Sequence, residues 1–281
     1  MTEREAEIIG LIRKEVKPAL GCTEPIAVAL AVAKATELLE EKCGGNGGTR
    51  KTSADFRIRA EVSGNILKNG MGVGIPGTGM VGLHIAAALG AVCGRSSYGL
   101  EVLHDLDEAS IANAKRMVED KAVTISLAET DHKLYVKAIV EGCCGHCASA
   151  VIEDDHDNIV ETCFDEKVLS GGCTGKETIC DDTRSTLDYH LTVKEIYQFA
   201  TTVGYDDISF ILESRTLNLA LAQEGLRGNY GLNVGHAISS HGNREVFGDD
   251  FLSYAMSLTA AASDARMAGC TLPAMSNSGS G

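Results

Sequence analysis

Val123-Thr-Ile-Ser-Leu127, Leu134-Tyr-Val-Lys-Ala-Ile-Val140, Ala148-Ser-Ala-Val-Ile152 and Ile159-Val-Glu-Thr-Cys-Phe164 follow one another closely, with Gly, Asp and Asn in the gaps. Short runs rich in Val and Ile and bounded by turn residues read as strands, and gaps this short favour antiparallel neighbours. Asp107 stands where an N-cap belongs, ahead of a helix reaching Glu119. One helix and four strands therefore make an α/β layer over residues 106–170.

Outward from that layer the periodicity becomes helical. Ile8, Ile9, Leu11, Ile12 and Val16 share one stripe against Glu3, Glu5, Glu7, Arg13 and Lys14, an amphipathic helix that Pro18 is expected to end. A second helix opens at Cys22-Thr-Glu-Pro25, with Thr23 or Glu24 as cap and Pro25 in its first turn. It is apolar nearly all round from Ile26 to Ala33, so it should be buried. Gly44 to Gly48 reads as a loop and Phe56 to Val62 as a half-buried strand. Ser63 to Gly79 is a glycine-rich loop that feeds a small-residue helix from Val81 to Val92, with Thr78 as its cap.

On the C-terminal side, Thr192 and Glu195 form a capping box for a helix to about Thr201. Asp206 is expected to cap a helix from Asp207 to Gln223 that ends at Gly225. Asp249 is expected to open the last helix, with Phe251, Leu252, Ala255, Met256, Leu258 and Ala262 facing inward. The expected fold class is α+β: a mainly helical body with an inserted antiparallel four-stranded α/β layer. The body takes residues 1–105 and 184–281; the insert and its exit loop take 106–183.

A chain of 281 residues with 44% apolar content can build a core without disulfides. With 5% aromatic residues, no Trp and 31 Gly, that core must be filled by small aliphatic residues at close backbone approach. The net charge of -14 excludes nucleic acid and anionic membrane as natural partners, because both are bound through clustered Lys and Arg. A small molecule or another protein, including a homo-oligomeric copy, fits better. The acidic start carries no export signal, and the longest apolar run, Ile26 to Ala33, falls far short of the roughly 18 residues that span a bilayer. A cytoplasmic location follows as the expectation. Ten cysteines there read as thiols or metal ligands rather than as a disulfide framework.

Two stretches carry the candidate chemistry. Met267-Ala-Gly-Cys-Thr-Leu-Pro-Ala-Met-Ser-Asn-Ser-Gly-Ser-Gly281 follows the last helix: Gly269 suits a left-handed residue after a helix, Cys270 is a soft ligand or nucleophile, and Pro273 prevents the helix resuming. Its Ser/Asn/Gly tail could equally be a flexible end or a donor-rich loop for a small anion. Cys22 sits at a helix N-terminus, where backbone N–H groups and the macrodipole favour thiolate, so a lowered pKa is expected.

Other signals are weaker. Gly72, Gly74 and Gly77 match GxGxxG, but Pro76 lies inside the match and no second-strand acid follows, so a carboxylate or small anion is the better ligand there. Cys143-Cys-Gly-His-Cys147 contains a CxxC with no second pair to close a zinc site. Cys173 and Cys180 read as surface thiols, and Gly175-Lys176 fails as a phosphate loop. His84 reads as a satisfied core histidine, and Cys43, Cys93 and Cys163 as small buried residues.

Three stretches together give a sharper reading: Pro18 to Ala27, Ser63 to Gly79, and Ser263-Asp-Ala-Arg-Met-Ala-Gly-Cys-Thr-Leu-Pro-Ala-Met-Ser-Asn-Ser-Gly-Ser-Gly281. They resemble the iron-sulfur L-cysteine desulfidase family, itself related to the α chain of iron-sulfur L-serine dehydratases, over nearly the whole chain. The resemblance implies a lyase that splits L-cysteine into pyruvate, ammonia and sulfide, with L-serine dehydration as the alternative reaction and a non-catalytic fragment as the alternative class. It implies a [4Fe-4S] cluster held by three cysteines, of which the first matches Cys270 and the other two fall downstream of Gly281. It further implies Cys22 as an acid/base group. Thr78, Ser276, Asn277, Ser278 and Gly279 would hold the carboxylate of a small amino-acid substrate. With one ligand at the matched position, this chain alone is expected to hold no stable cluster.

Overall fold

A computed structural model describes residues 2–43, 56–143, 145–170, 190–240, 248 and 250–277. The first helix, α1 (Glu3–Glu15), starts on a capping box between Thr2 and Glu5. It stops before Pro18 because Val16–Leu20 is a strand, β1, whose partner is β8 (Pro273–Asn277). The pairing is antiparallel, from Val16 opposite Asn277 to Leu20 opposite Pro273. Pro18 is tolerated because this two-stranded ribbon leaves its backbone on an edge. The segment after Cys270, read as an irregular loop, is thus in part a strand, ordered by residues more than 250 positions away.

The buried centre is α2 (Thr23–Lys42) crossing α4 (Leu83–Cys93). Thirteen of the twenty α2 residues are buried. The two helices approach so closely that a Cβ on Gly90 would lie 2.4 Å from the Ala29 carbonyl oxygen. The small residues of both helices make that approach feasible, as composition suggested. The α4 helix begins at Leu83 behind Gly82 at φ 96°, not at Val81 behind Thr78. Its His84 is exposed rather than a core residue.

Both helices lie on the apolar face of one sheet, of order β3-β2-β4-β5-β6-β7. The strands are β2 (Phe56–Val62), β3 (Val123–Leu127), β4 (Tyr135–Gly142), β5 (Cys147–Glu153), β6 (Ile159–Phe164) and β7 (Lys167–Ser170). The α+β class holds, but the sheet has six strands rather than four, and the β2–β3 pair is parallel. Residues 56–62 alternate buried and exposed positions so well that they enter the sheet between β3 and β4. The crossover from β2 to β3 runs through α3 (Gly64–Gly70), α4 and α5 (Glu108–Glu119), and such a connection permits parallel pairing. Asp107 caps α5 through the Ser110 N–H, as expected.

The remaining helices are α6 (Val193–Thr202), α7 (Tyr205–Ile208), α8 (Glu213–Arg227), α9 (Val234–Ser239) and α10 (Phe251–Met267). The Thr192–Glu195 capping box is present. The single helix expected from Asp207 is broken into α7, a 3-10 turn and α8. Asp249 lies outside the described residues, and the cap of α10 is Asp250. The inner face of α10 also differs from the expected one. Ser253, Ser257, Ala261 and Ala265 are buried, whereas Phe251 and Leu252 are 84% and 64% exposed. Glycines decide this: a Cβ on Gly225 of α8 would sit 2.0 Å from the Ala261 carbonyl oxygen, so the small-residue stripe packs inward. The Gly44 to Gly48 loop and residues 173–180 lie outside the described residues, as does Cys144.

Candidate functional site

Three segments distant in sequence meet at the end of α10. After Arg266 the chain turns at Gly269, whose φ of 86° is the left-handed geometry read from the sequence. The turn is bonded to the glycine loop: the Gly74 N–H donates to the Met267 carbonyl (2.8 Å) and the Gly77 N–H to the Gly269 carbonyl (3.2 Å). A Cβ on Gly74 would lie 2.4 Å from the Ala268 carbonyl carbon, so only glycine allows this approach. Gly21, just before Cys22, closes the group, since its Cβ position lies 3.1 Å from Pro76 Cγ. Arg266 then donates from Nε to the Gly21 carbonyl at 2.9 Å, across 245 residues of sequence.

Cys22 is the N-cap of α2, with its side chain turned away from capping and donating instead to Glu24 Oε2 at 2.8 Å. Glu24 also accepts from Asn69 Nδ2 (3.1 Å). Burial pushes the Cys22 thiol up, and the bond to Glu24 and its negative charge push it further. The Glu24 backbone N–H and the Arg266 charge oppose this, and the net value rises from 9.0 to about 12. The expected lowering is therefore reversed. The helix end does favour the thiolate, but a carboxylate two residues on and a half-buried setting outweigh it. At neutral pH the pair is a thiol donating to a carboxylate. Burial alone would raise Glu24; the bonds from Cys22, its own N–H and Asn69, with nearby His156, hold it below its ordinary 4.5.

His156 was not singled out from the sequence. It rides on the turn between β5 and β6, which two ion pairs tether to the N-terminal segment: Lys17 Nζ to Asp157 Oδ2 at 2.6 Å and Lys14 Nζ to Asp155 Oδ2 at 3.9 Å. Burial lowers the His156 pKa; Glu24, Asp155 and Asp157 pull upward, and Arg266 pushes down with the burial. Its signal in the sequence was weak, a histidine within Asp154-Asp-His-Asp157, where an exposed turn is the ordinary reading.

The other expected site residues divide. Cys270 is buried at 5% exposure, beside Leu221, Ala265 and Ala274 and against Tyr230. The Tyr230 phenol donates to Glu224 Oε1 at 2.9 Å; burial, Glu224 and the Cys270 thiol all push its pKa upward. Thr78 is buried, but its hydroxyl donates to the Ile75 carbonyl (2.8 Å) and accepts from the Met80 N–H (3.0 Å), which commits it to holding its own turn. Ser276 is 1% exposed, and its Oγ has no hydrogen-bond partner among the described residues. Asn277 is exposed at the end of β8. Ser278 and Gly279 lie outside the described residues.

Away from this site, Cys143 is exposed and His146 pairs with Asp165 (2.5 Å). No three His, Cys, Asp or Glu side chains among the described residues are grouped to hold a metal. No such set forms around Cys270, so the described residues do not by themselves fit an iron-sulfur cluster. No helix among them is long and apolar enough to cross a membrane.

At this junction a half-buried thiol–carboxylate pair lies within the electrostatic reach of a histidine and an arginine, beside a turn of glycines. The chain belongs to the serine dehydratase alpha chain family, whose model matches residues 97–281. Its relatives include several UPF0597 proteins. One from Phocaeicola vulgatus is 46% identical over 281 residues, covering 99% of this chain and 61% of the relative. One from Dichelobacter nodosus is 42% identical, covering 100% and 61%. One from Oleidesulfovibrio alaskensis is 46% identical, covering 97% and 60%. The chain thus spans about three fifths of these relatives' length. No solved structure matches it.

Proposed function

We propose that the chain provides the substrate-binding and proton-handling part of a lyase that performs α,β-elimination on a small L-amino acid. L-cysteine, giving pyruvate, ammonia and sulfide, is the favoured substrate, with L-serine second. The observation that carries the reading is the Cys22–Glu24 pair, a thiol hydrogen-bonded to a carboxylate where the three resemblance-bearing segments meet.

Elimination needs a base for the α proton and an acid for the leaving group. Glu24 is ionised and Cys22 protonated at neutral pH, so the pair holds one proton between two atoms 2.8 Å apart. Passing that proton to Glu24 frees the sulfur to take the α proton, which leaves both groups protonated; Glu24 then gives its proton to the departing sulfide or hydroxide, and the thiol–carboxylate pair is restored. His156, kept neutral by burial, can exchange the proton with bulk water. Family likeness supports a [4Fe-4S] cluster with Cys270 as one ligand. No step here runs through a cluster, because the described residues hold no complete ligand set.

The test uses this chain fused to the remaining part of the Phocaeicola vulgatus relative and reconstituted anaerobically with iron and sulfide. Release of pyruvate from L-cysteine or L-serine, lost on Cys22→Ala with the cluster chromophore retained, supports the reading. A loaded fusion that eliminates from neither amino acid removes it.

A further inference from the structure

Among the described residues Arg266 is the one charged side chain that is buried, at 7% exposure, and its structural role uses little of it. A guanidinium carries five N–H donors. Nε donates to the Gly21 carbonyl, and no other bond or ion pair is made to the described residues. An unpaired buried ion is costly, by several kcal/mol even after relaxation, unless a counter-charge arrives. The helix end helps, since the C-terminus of α10 favours a cation, but a macrodipole contributes only about 0.3 to 1 kcal/mol.

The surroundings of Arg266 suit an anion. It is among the residues that line a cavity of about 550 Å³ between α8, α10 and β8. The polar lining includes Arg215 at the exposed rim, Asn218, Thr259 and Ser263, and it contains no Asp or Glu. In a chain of net charge -14, a largely apolar cavity with two arginines and no acid in its lining favours an anion over a cation. On its other side Arg266 reaches the Cys22 loop, and its charge acts on both Cys22 and His156. The unpartnered Ser276 hydroxyl lies in β8, two residues beyond the Ala274 that lines the cavity.

We propose that Arg266 is the carboxylate receptor of this site, accepting a small amino acid through the cavity between α8, α10 and β8 and holding it beside Cys22. The assignment rests on the amino-acid reading above and makes it specific. It moves the carboxylate from Thr78, whose hydroxyl is occupied, to a guanidinium whose two terminal nitrogens have no partner among the described residues. Arg215 at the rim steers the anion inward, and Arg266 fixes it.

The experiment is calorimetric binding to the cluster-free 281-residue chain. The probes are L-serine and ethanolamine, which is L-serine without its carboxylate, and the proteins are wild type, Arg266→Lys and Arg266→Gln. Wild type should bind L-serine and not ethanolamine. Arg266→Gln should lose about tenfold or more in affinity, as expected for one charge-assisted pair, and Arg266→Lys should fall between. Equal binding of both probes by wild type, no binding of L-serine, or unchanged affinity in Arg266→Gln overturns the proposal. If Arg266→Gln does not fold, the probe comparison on wild type and the lysine variant still decide. Failure of the lyase reading looks different: L-serine would bind in an Arg266-dependent way, yet the loaded fusion would release no pyruvate. Elimination that persists in Arg266→Gln at unchanged KM would remove the receptor and leave the lyase.

Discussion

Replacing Glu24 with Gln keeps the shape of the side chain and removes the charge that holds the Cys22 proton. At pH 8 a thiol of pKa 9.0 is about one-tenth ionised, whereas one near 12 is ionised to about one part in 10⁴, a deficit of roughly 10³. The more basic thiolate is intrinsically more nucleophilic, and a Brønsted coefficient of about 0.45 over three pKa units recovers about 20-fold. The net expectation is wild-type alkylation slower than that of a free thiol by about 50-fold, before any loss of access. Burial is the largest cause of the shift and remains in Glu24→Gln, so the variant should recover only part, roughly 3- to 10-fold. The assay is the rate of iodoacetamide labelling of the Cys22 peptide by mass spectrometry, with exposed Cys143 as reagent control. Labelling of wild-type Cys22 at the free-thiol rate, or no acceleration in Glu24→Gln, would refute the thiol–carboxylate pair.

Three further outcomes are expected. Gly74→Ala places a methyl 2.4 Å from the Ala268 carbonyl carbon, and overpacking of this kind costs about 1 to 3 kcal/mol, read as a lower urea midpoint together with weakened L-serine binding. Ser276→Ala removes a buried hydroxyl that has no partner among the described residues, so without ligand the variant should be as stable as wild type or more stable by about 1 kcal/mol; a marked loss would mean the hydroxyl is bonded after all. Glu24 is held below its ordinary value of 4.5, so the folded protein binds fewer protons there than the unfolded chain does. Its contribution is full above that value and lost as pH falls through the lower folded one, and urea midpoints of Glu24→Gln should fall less steeply than wild type below pH 4.5.

What was legible in the sequence was local. The Asp107 cap, the Thr192–Glu195 box and the left-handed Gly269 are each set by a few neighbouring residues, and each is present. The β1–β8 ribbon was not legible, because Pro18 and Pro273 both read as breakers until the two segments are placed side by side. The α10 face was misread for a related reason. Large apolar residues set the sequence stripe, but glycines on α8 and α9 admit only the small one. At the site, Cys22 and Cys270 were each singled out by their place at a helix end and brought together only by resemblance, while the direction of the Cys22 shift was missed because Glu24 was read as a cap rather than as an acceptor. Arg266 had a usable signal: it follows Ala262 by four residues, on a stripe read as facing inward, and a charge in that phase needs a partner.

The elimination itself is tested most directly by following hydrogen. L-cysteine is converted by the loaded fusion in D₂O, the pyruvate is trapped as lactate as it forms, and sulfide is measured alongside. Loss of the α proton and the thiol gives an aminoacrylate, which takes one solvent hydrogen at its β carbon as it becomes the imine and hydrolyses to pyruvate and ammonia. The account predicts sulfide and lactate in equal amounts, with one deuterium in the lactate methyl group. Sulfide released without a three-carbon keto acid, or lactate whose methyl carries no solvent deuterium, would contradict it.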